Sequence, residues 1–143
     1  MTSLNKTSMT KQIFINLPVS DLKRSMDFYA AIGFVNNAQF TDETAACMEW
    51  SEHIFVMLLT IPRFKGFITK EVADTKATTS VINSLSVGSN EEVHAFLEKA
   101  LAAGGVEPTE AKDYGFMLQR SIQDPDGNEW EVFFMDMSRV PKA

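Results

Sequence analysis

The strongest constraint on this chain is that it repeats itself. An offset of 68 residues lays Leu17 on Leu85, Val19 on Val87 and Phe28 on Phe96. Each half reads as a strand, a capped helix, a glycine and three further strands, so two copies of one βαβββ module are expected. In the first copy, Ile13, Ile15, Leu17 and Val19 alternate onto one face of a strand. Pro18 removes a ladder donor, which suits an edge position or the strand's end. Ser20 or Asp21 can cap a helix running to about Ile32, with Leu22, Met26, Tyr29 and Ile32 as its apolar stripe and Gly33 as its stop. Strands are expected near Phe34–Phe40, Ala45–Trp50 and Ile54–Thr60, the last two joined by a turn at Ser51-Glu52-His53.

The second copy opens with a strand at Val81–Val87. Ser89-Asn90-Glu91-Glu92 then forms a capping-box sequence for a helix to about residue 103. That helix carries Val93, Phe96, Leu97, Ala100 and Leu101 on one face and stops at Gly104-Gly105. Strands are expected near Val106–Thr109, Gly115–Ile122 and Glu129–Met135, with Asp124-Pro125-Asp126-Gly127 turning the chain before the last. The modules span about 11–61 and 80–137, joined by an irregular connector at 62–79 in which Phe64, Phe67 and Ile68 suit one short amphipathic turn. Residues 1–10 lack periodicity and read as a mobile tail, with Met9 an alternative start. The fold class is α+β: two βαβββ modules forming a cleft-bearing, curved mixed sheet within a single domain over 11–143.

Composition narrows the function. A chain of 143 residues, 45 % hydrophobic and 22 % charged, can bury a core without staples. Its single cysteine, Cys47, excludes an internal disulfide and a four-thiolate zinc site. The net charge of −6, with Lys23-Arg24 as the longest basic cluster, argues against nucleic acid. No long apolar run suggests a membrane span, and the expected location is cytoplasmic.

The segments LPVSDLKRSMDFYAAIGF and DPDGNEWEVFFMD, in this element order, resemble the vicinal oxygen chelate superfamily of glyoxalases, extradiol dioxygenases, and bleomycin and fosfomycin resistance proteins. The resemblance covers residues 12–136. It rests on Asp21-Leu22, Ser25, Phe28-Tyr29 and Gly33-Phe34, and on Asp124-Pro125-Asp126-Gly127-Asn128. It implies two modules around a cleft, often in a homodimer. In catalytic members, one side chain from each of four strands holds a metal. Here those positions fall at Phe14, near Leu58, near Ile82 and at Glu131. Three of these offer no lone pair to a hard or borderline cation, so the implied metal site reads as lost and no cofactor is expected.

Glu131 alternates with Trp130 and Val132 and shares its face with Glu129 and Phe133. Walled by Phe14, Leu58 and Ile82, an ionised carboxylate is costly unless paired. It reads as a general acid/base, or as an anchor for a ligand's cation or donor; structurally, Arg120 or Asn16 could satisfy it. Asn16 and Ser84, two residues beyond Phe14 and Ile82, are candidate polar contacts in an apolar pocket. Met48 and Trp50 alternate on one face, as do Phe116 and Leu118, and Tyr114 stands at the cleft mouth. These read more readily as core, yet Met48, Trp50, Tyr114, Phe116 and Arg120 complete the candidate ligand contacts. His53 in a turn and His94 on a helix are poor candidates for metal or catalysis. Cys47 reads as a buried, inert thiol. Asp124 and Asp126 are expected to hold their turn.

The resulting reading is a protein that binds a small organic molecule in an apolar cleft, as the resistance proteins of that superfamily do. The alternatives are a glyoxalase-type lyase or isomerase, or a dioxygenase, of the same superfamily, for which a metal-free form using Glu131 as acid/base stays open, and a purely structural or regulatory dimer with a filled cleft. The expected partners are a small-molecule ligand and a second copy of the chain, with neither nucleic acid nor membrane.

Overall fold

The computed structural model describes residues 10–142. The tail expected at 1–10 lies outside the described residues except for Thr10, which is exposed. Two compact units meet in sequence between Val72 and Ala73. Each holds a four-stranded mixed sheet with one principal helix, which makes the class α+β.

The first unit contains β1 (Ile13–Val19), α1 (Leu22–Ala31), β2 (Val35–Asn37), β3 (Ala45–Ser51), β4 (Ile54–Thr60) and the short helix α2 (Ile61–Lys65). Its sheet order is β1-β4-β3-β2, with β1 parallel to β4 and the other pairs antiparallel. β1 is therefore an edge, where Pro18 withholds an N–H at little cost. Asp21 caps α1 by accepting the amide of Arg24 at 3.1 Å. The helix ends at Ile32, and Gly33 follows at φ +112°, a conformation that other residues resist.

One face of this sheet packs on the helix. Leu17, Ala46, Met48, Val56 and Leu58 are buried there with Ser25, Phe28 and Tyr29 of α1. Phe34, just past the helix, brings its ring 5.4 Å from Tyr29 and 5.1 Å from Trp50. Alternation sends Phe14, Asn16, Met57 and Cys47 to the face turned away from the helix. The strand expected over 34–40 is shorter. It gives way at Ala38–Phe40 to a 3-10 turn, because the Asn37 side chain accepts the Gln39 amide at 3.1 Å and closes a local turn instead of a ladder.

The second unit contains β5 (Ile82–Ser86), α3 (Asn90–Ala102), β6 (Lys112–Asp113), β7 (Met117–Gln123) and β8 (Glu129–Met135). Its order, β5-β8-β7-β6, repeats the first, again with a parallel outer pair. Ser89 caps α3 by accepting the Glu92 amide at 3.1 Å. Val93, Phe96, Leu97 and Ala100 bury against Leu85, Leu118, Ile122, Trp130 and Val132. The strand expected at 106–109 is reduced to one bridge, Val106 to Gln123, since Pro108 follows and withholds a donor. The outer strand is β6, further along the chain.

The connector is divided between the units. Its first part is α2, which packs on β1 and β4. Its later part binds the second unit, where the Thr75 hydroxyl donates to the Asp126 carbonyl at 2.5 Å. Asp124 holds the β7–β8 turn: one carboxylate oxygen accepts the amides of Asp126 and Asn128, each at 2.9 Å, and the other accepts the Asn128 side chain.

Candidate functional site

On the second sheet, the residues that point away from α3 form three cross-strand rows. Ile82, Glu129 and Gln123 make the first, Ser84, Glu131 and Ser121 the second, and Ser86, Phe133 and Gln119 the third. Glu131 sits in the middle row of the central strand. The Ser84 hydroxyl donates to its Oε1 at 3.0 Å, and the Gln119 side-chain amide donates to Oε2 in a short contact. Both donors are neutral. Glu129 is held in the same way by Gln123, whose Nε2 lies 2.6 Å from Oε1.

The structure brings Ser84, Ile82 and Glu131 together and moves several other candidates elsewhere. Arg120 pairs in register with Val132, so it points to the helix side. There it makes a two-pronged ion pair with Glu107, both N···O distances 2.9 Å, and donates from Nη1 to His94 Nδ1. An arginine only donates, so His94 Nδ1 must be the acceptor. Hydrogen bonding from Arg120, which outweighs the cost of burial, holds the Glu107 carboxyl below its usual range; the guanidinium charge adds to it. Arg120 is thus the ion-pair partner of Glu107 and not of Glu131.

Leu58, Met48 and Trp50 are also corrected. Register places Leu58 beside Leu17 and Ala46, fully buried on the helix side, while Met57 shares a face with Asn16 and Cys47. One residue of slip reverses a strand's faces, and β4 sets Met57 rather than Leu58 on the face of Phe14. Met48 is fully buried on the same helix side, and Trp50 packs on Phe34. Asn16 keeps to the other face, where its amide donates to the Phe14 carbonyl at 3.2 Å. The half-exposed Phe14 ring stacks on Phe55 with centroids 4.4 Å apart. Tyr114 and Phe116 lie in the turn between β6 and β7, outside the three rows, with ring centroids 6.3 Å apart. Leu118 faces α3.

Sequence reading missed Gln119, Ser121 and Gln123. The signal was present, because MLQRSIQ places them on alternate positions opposite an apolar Leu118–Ile122 face. His53 lies beside Glu52 at 3.2 Å, and His94 on Arg120. Cys47 is buried, and burial pushes its thiol upward, with a smaller contribution from the charge of Glu49.

The donor chemistry does not fit a divalent metal. With the register corrected, the four implied positions carry the phenyl of Phe14, the thioether of Met57, the alkyl group of Ile82 and the carboxylate of Glu131. Hard and borderline cations need three or more nitrogen, oxygen or thiolate donors. Among the described residues, no group of three His, Cys, Asp or Glu side chains is placed to hold one.

Two sheets of this order, each with a covering helix, and a DPDGN turn before the last strand of the second, define a paired βαβββ class of protein. The chain belongs to the Glyoxalase/Bleomycin resistance protein/Dioxygenase superfamily, whose family model matches residues 11–132. It is similar to a hypothetical protein from S. aureus at 25 % identity and a TM-score of 0.75, over 92 % of this chain and 98 % of that one. A glyoxalase-related enzyme from Fulvimarina pelagi shares the fold at 21 % identity and a TM-score of 0.74, over 88 % of each chain. So does a lactoylglutathione lyase from Agrobacterium tumefaciens, at 14 % identity and a TM-score of 0.65, over 90 % of this chain and 96 % of that one. No curated protein matches the chain.

Proposed function

We propose that this protein binds a small organic molecule through the polar rows of its second sheet, with Glu131 as the anchor. The observation that carries the reading is the pairing of that carboxylate: Ser84 and Gln119 hold it in place, and neither brings a positive charge. A carboxylate so held keeps its own charge to offer, and it suits a ligand that supplies a cation or a hydrogen-bond donor. The net charge of −6 favours the approach of such a ligand over an anion.

The lyase or isomerase reading asks Glu131 to take a proton from a substrate. Both of its oxygens already accept a hydrogen bond from a neighbouring side chain, an arrangement that fixes the carboxylate in place as an anchor. Binding is therefore the preferred reading.

A thermal-shift screen of amphiphilic amines and aromatics on the wild type and on Glu131→Gln tests it. Hits should bind the variant more weakly by about 1–3 kcal/mol, as expected when a charged hydrogen bond becomes neutral. The unliganded melting temperature should hardly move, because glutamine keeps the shape. Hits that stabilise both forms equally would remove Glu131 from the site.

A further inference from the structure

Beside Glu129 the later connector and the second sheet enclose a groove of about 150 Å³, lined by Thr75, Lys76, Thr78, Thr79, Gln123 and Glu129. The connector wall is built. Gly127 faces it so closely that a Cβ there would lie 2.5 Å from the Thr75 carbonyl oxygen, and its φ of +90° also favours glycine. Asp74 closes the next turn: its carbonyl accepts the amides of Ala77 and Thr78, and its side chain accepts the amide of Lys76.

The hydrogen-bonding inventory of the groove is lopsided. All three threonine hydroxyls spend their one proton on the chain's own carbonyls: Thr75 on Asp126, Thr78 on Asp74 and Thr79 on Val81. Their oxygens are left with acceptor capacity only. Gln123 has committed one amide proton to Glu129 Oε1, while Glu129 Oε2 has no partner among the described residues. The exposed Lys76 is the one cation lining the groove. Apart from that exposed lysine, the wall is rich in acceptors and poor in donors, so it selects a group rich in donors.

Glu129 and Glu131 point the same way from one strand, two residues apart, which spaces them by roughly 7 Å. We infer that the groove is a second subsite, continuous with the Glu131 anchor, and that the ligand class is a short linear molecule with an ammonium or similar donor at each end. One end meets Glu131, and the other enters the groove and meets Glu129. This inference rests on the proposed anchoring role of Glu131.

Titration calorimetry of the full chain with cadaverine, its monoamine counterpart pentylamine, and neutral pentanol tests it. Cadaverine should bind most tightly and pentanol most weakly. Glu129→Gln should weaken cadaverine by about tenfold, to near the level of pentylamine, and leave pentylamine unchanged. Thr78→Val, which removes an acceptor from the groove and leaves both carboxylates, should weaken cadaverine alone. Glu131→Gln should weaken both amines. If cadaverine is insensitive to Glu129→Gln and Thr78→Val but sensitive to Glu131→Gln, the groove inference fails and the anchor stands. If it responds to Glu129→Gln and ignores Glu131→Gln, the anchor fails, and with it the two-ended ligand. If no amine binds while other ligands depend on Glu131, the groove inference alone is overturned.

Discussion

On the first sheet, the row crossing β1, β4 and β3 on the face away from the helix carries Phe14, Phe55 and Glu49, and the next row carries Asn16, Met57 and Cys47. On the second sheet, the corresponding rows read Ile82, Glu129 and Gln123, then Ser84, Glu131 and Ser121. The helix-facing sides, by contrast, are interchangeable in kind: Leu17, Met48 and Leu58 in one, Leu85, Ile122 and Trp130 in the other. The contrast separates two jobs. The helix-facing side supplies the core on which the module folds, so it is mainly apolar in both copies, with Arg120 a charged exception in the second. On the other side the two copies differ: the first is aromatic and sulfur-bearing, with Cys47 and Phe55 buried, and the second carries carboxylates and amides. The copies differ on that second surface, which membership of the superfamily does not fix.

The largest effect should come from the side that the copies share. Trp130→Ala removes a fully buried indole from the second unit and should cost about 3–5 kcal/mol in urea unfolding of the whole chain. Met48→Ala in the first unit should cost about 2–5 kcal/mol for the same reason. A loss near zero at either position would break the claim that both helix-facing sides are cores.

The two sides were not equally legible in the sequence. Helix caps, stop glycines and the DPDG turn are local signals, and Asp21, Ser89 and Asp124 act as their residue types suggest. The register of β4 was not local. IFVMLLT is apolar at six of its seven positions, so no alternation distinguishes Met57 from Leu58 as the residue on the face of Phe14. β8 alternates Glu with Trp and Val, so its faces could be assigned. Arg120 misled for another reason. Its partner Glu107 lies in the irregular segment after Gly105, and no spacing rule links that segment to β7.

An intermediate effect is expected at that ion pair, which belongs to the helix side of the second unit. Arg120→Met should cost about 1–3 kcal/mol at neutral pH, since it leaves the half-buried Glu107 carboxylate without its cation. Because Arg120 lowers the Glu107 pKa in the folded state, the pair's contribution is fully present above the unfolded carboxylate value of about 4.3. It is lost as pH falls through the lower, folded value. The stability gap between wild type and variant should therefore close on acidification. A gap that persists unchanged below both values would show that Arg120 acts by packing alone.

The smallest effects make the sharpest comparison, because Asn16 and Ser84 occupy the same position in the two copies, 68 residues apart. The Asn16 amide spends its hydrogen bond on the Phe14 carbonyl of its own exposed edge strand. Water can replace that bond, so Asn16→Ala should change stability by no more than about 0.5 kcal/mol. The Ser84 hydroxyl instead donates to Glu131 Oε1, and Ser84→Ala leaves Gln119 as the remaining neutral donor. Water can also solvate the freed oxygen, because Ser84 is exposed, so the fold should tolerate the change. The carboxylate is then less firmly placed, and Glu131-dependent ligands should bind more weakly by about 0.5–1.5 kcal/mol. Calorimetry with one such ligand on both variants reads the difference directly. If Asn16→Ala and Ser84→Ala weaken binding equally, the polar rows of the second sheet have no special part in it, and the division of labour between the two copies is refuted.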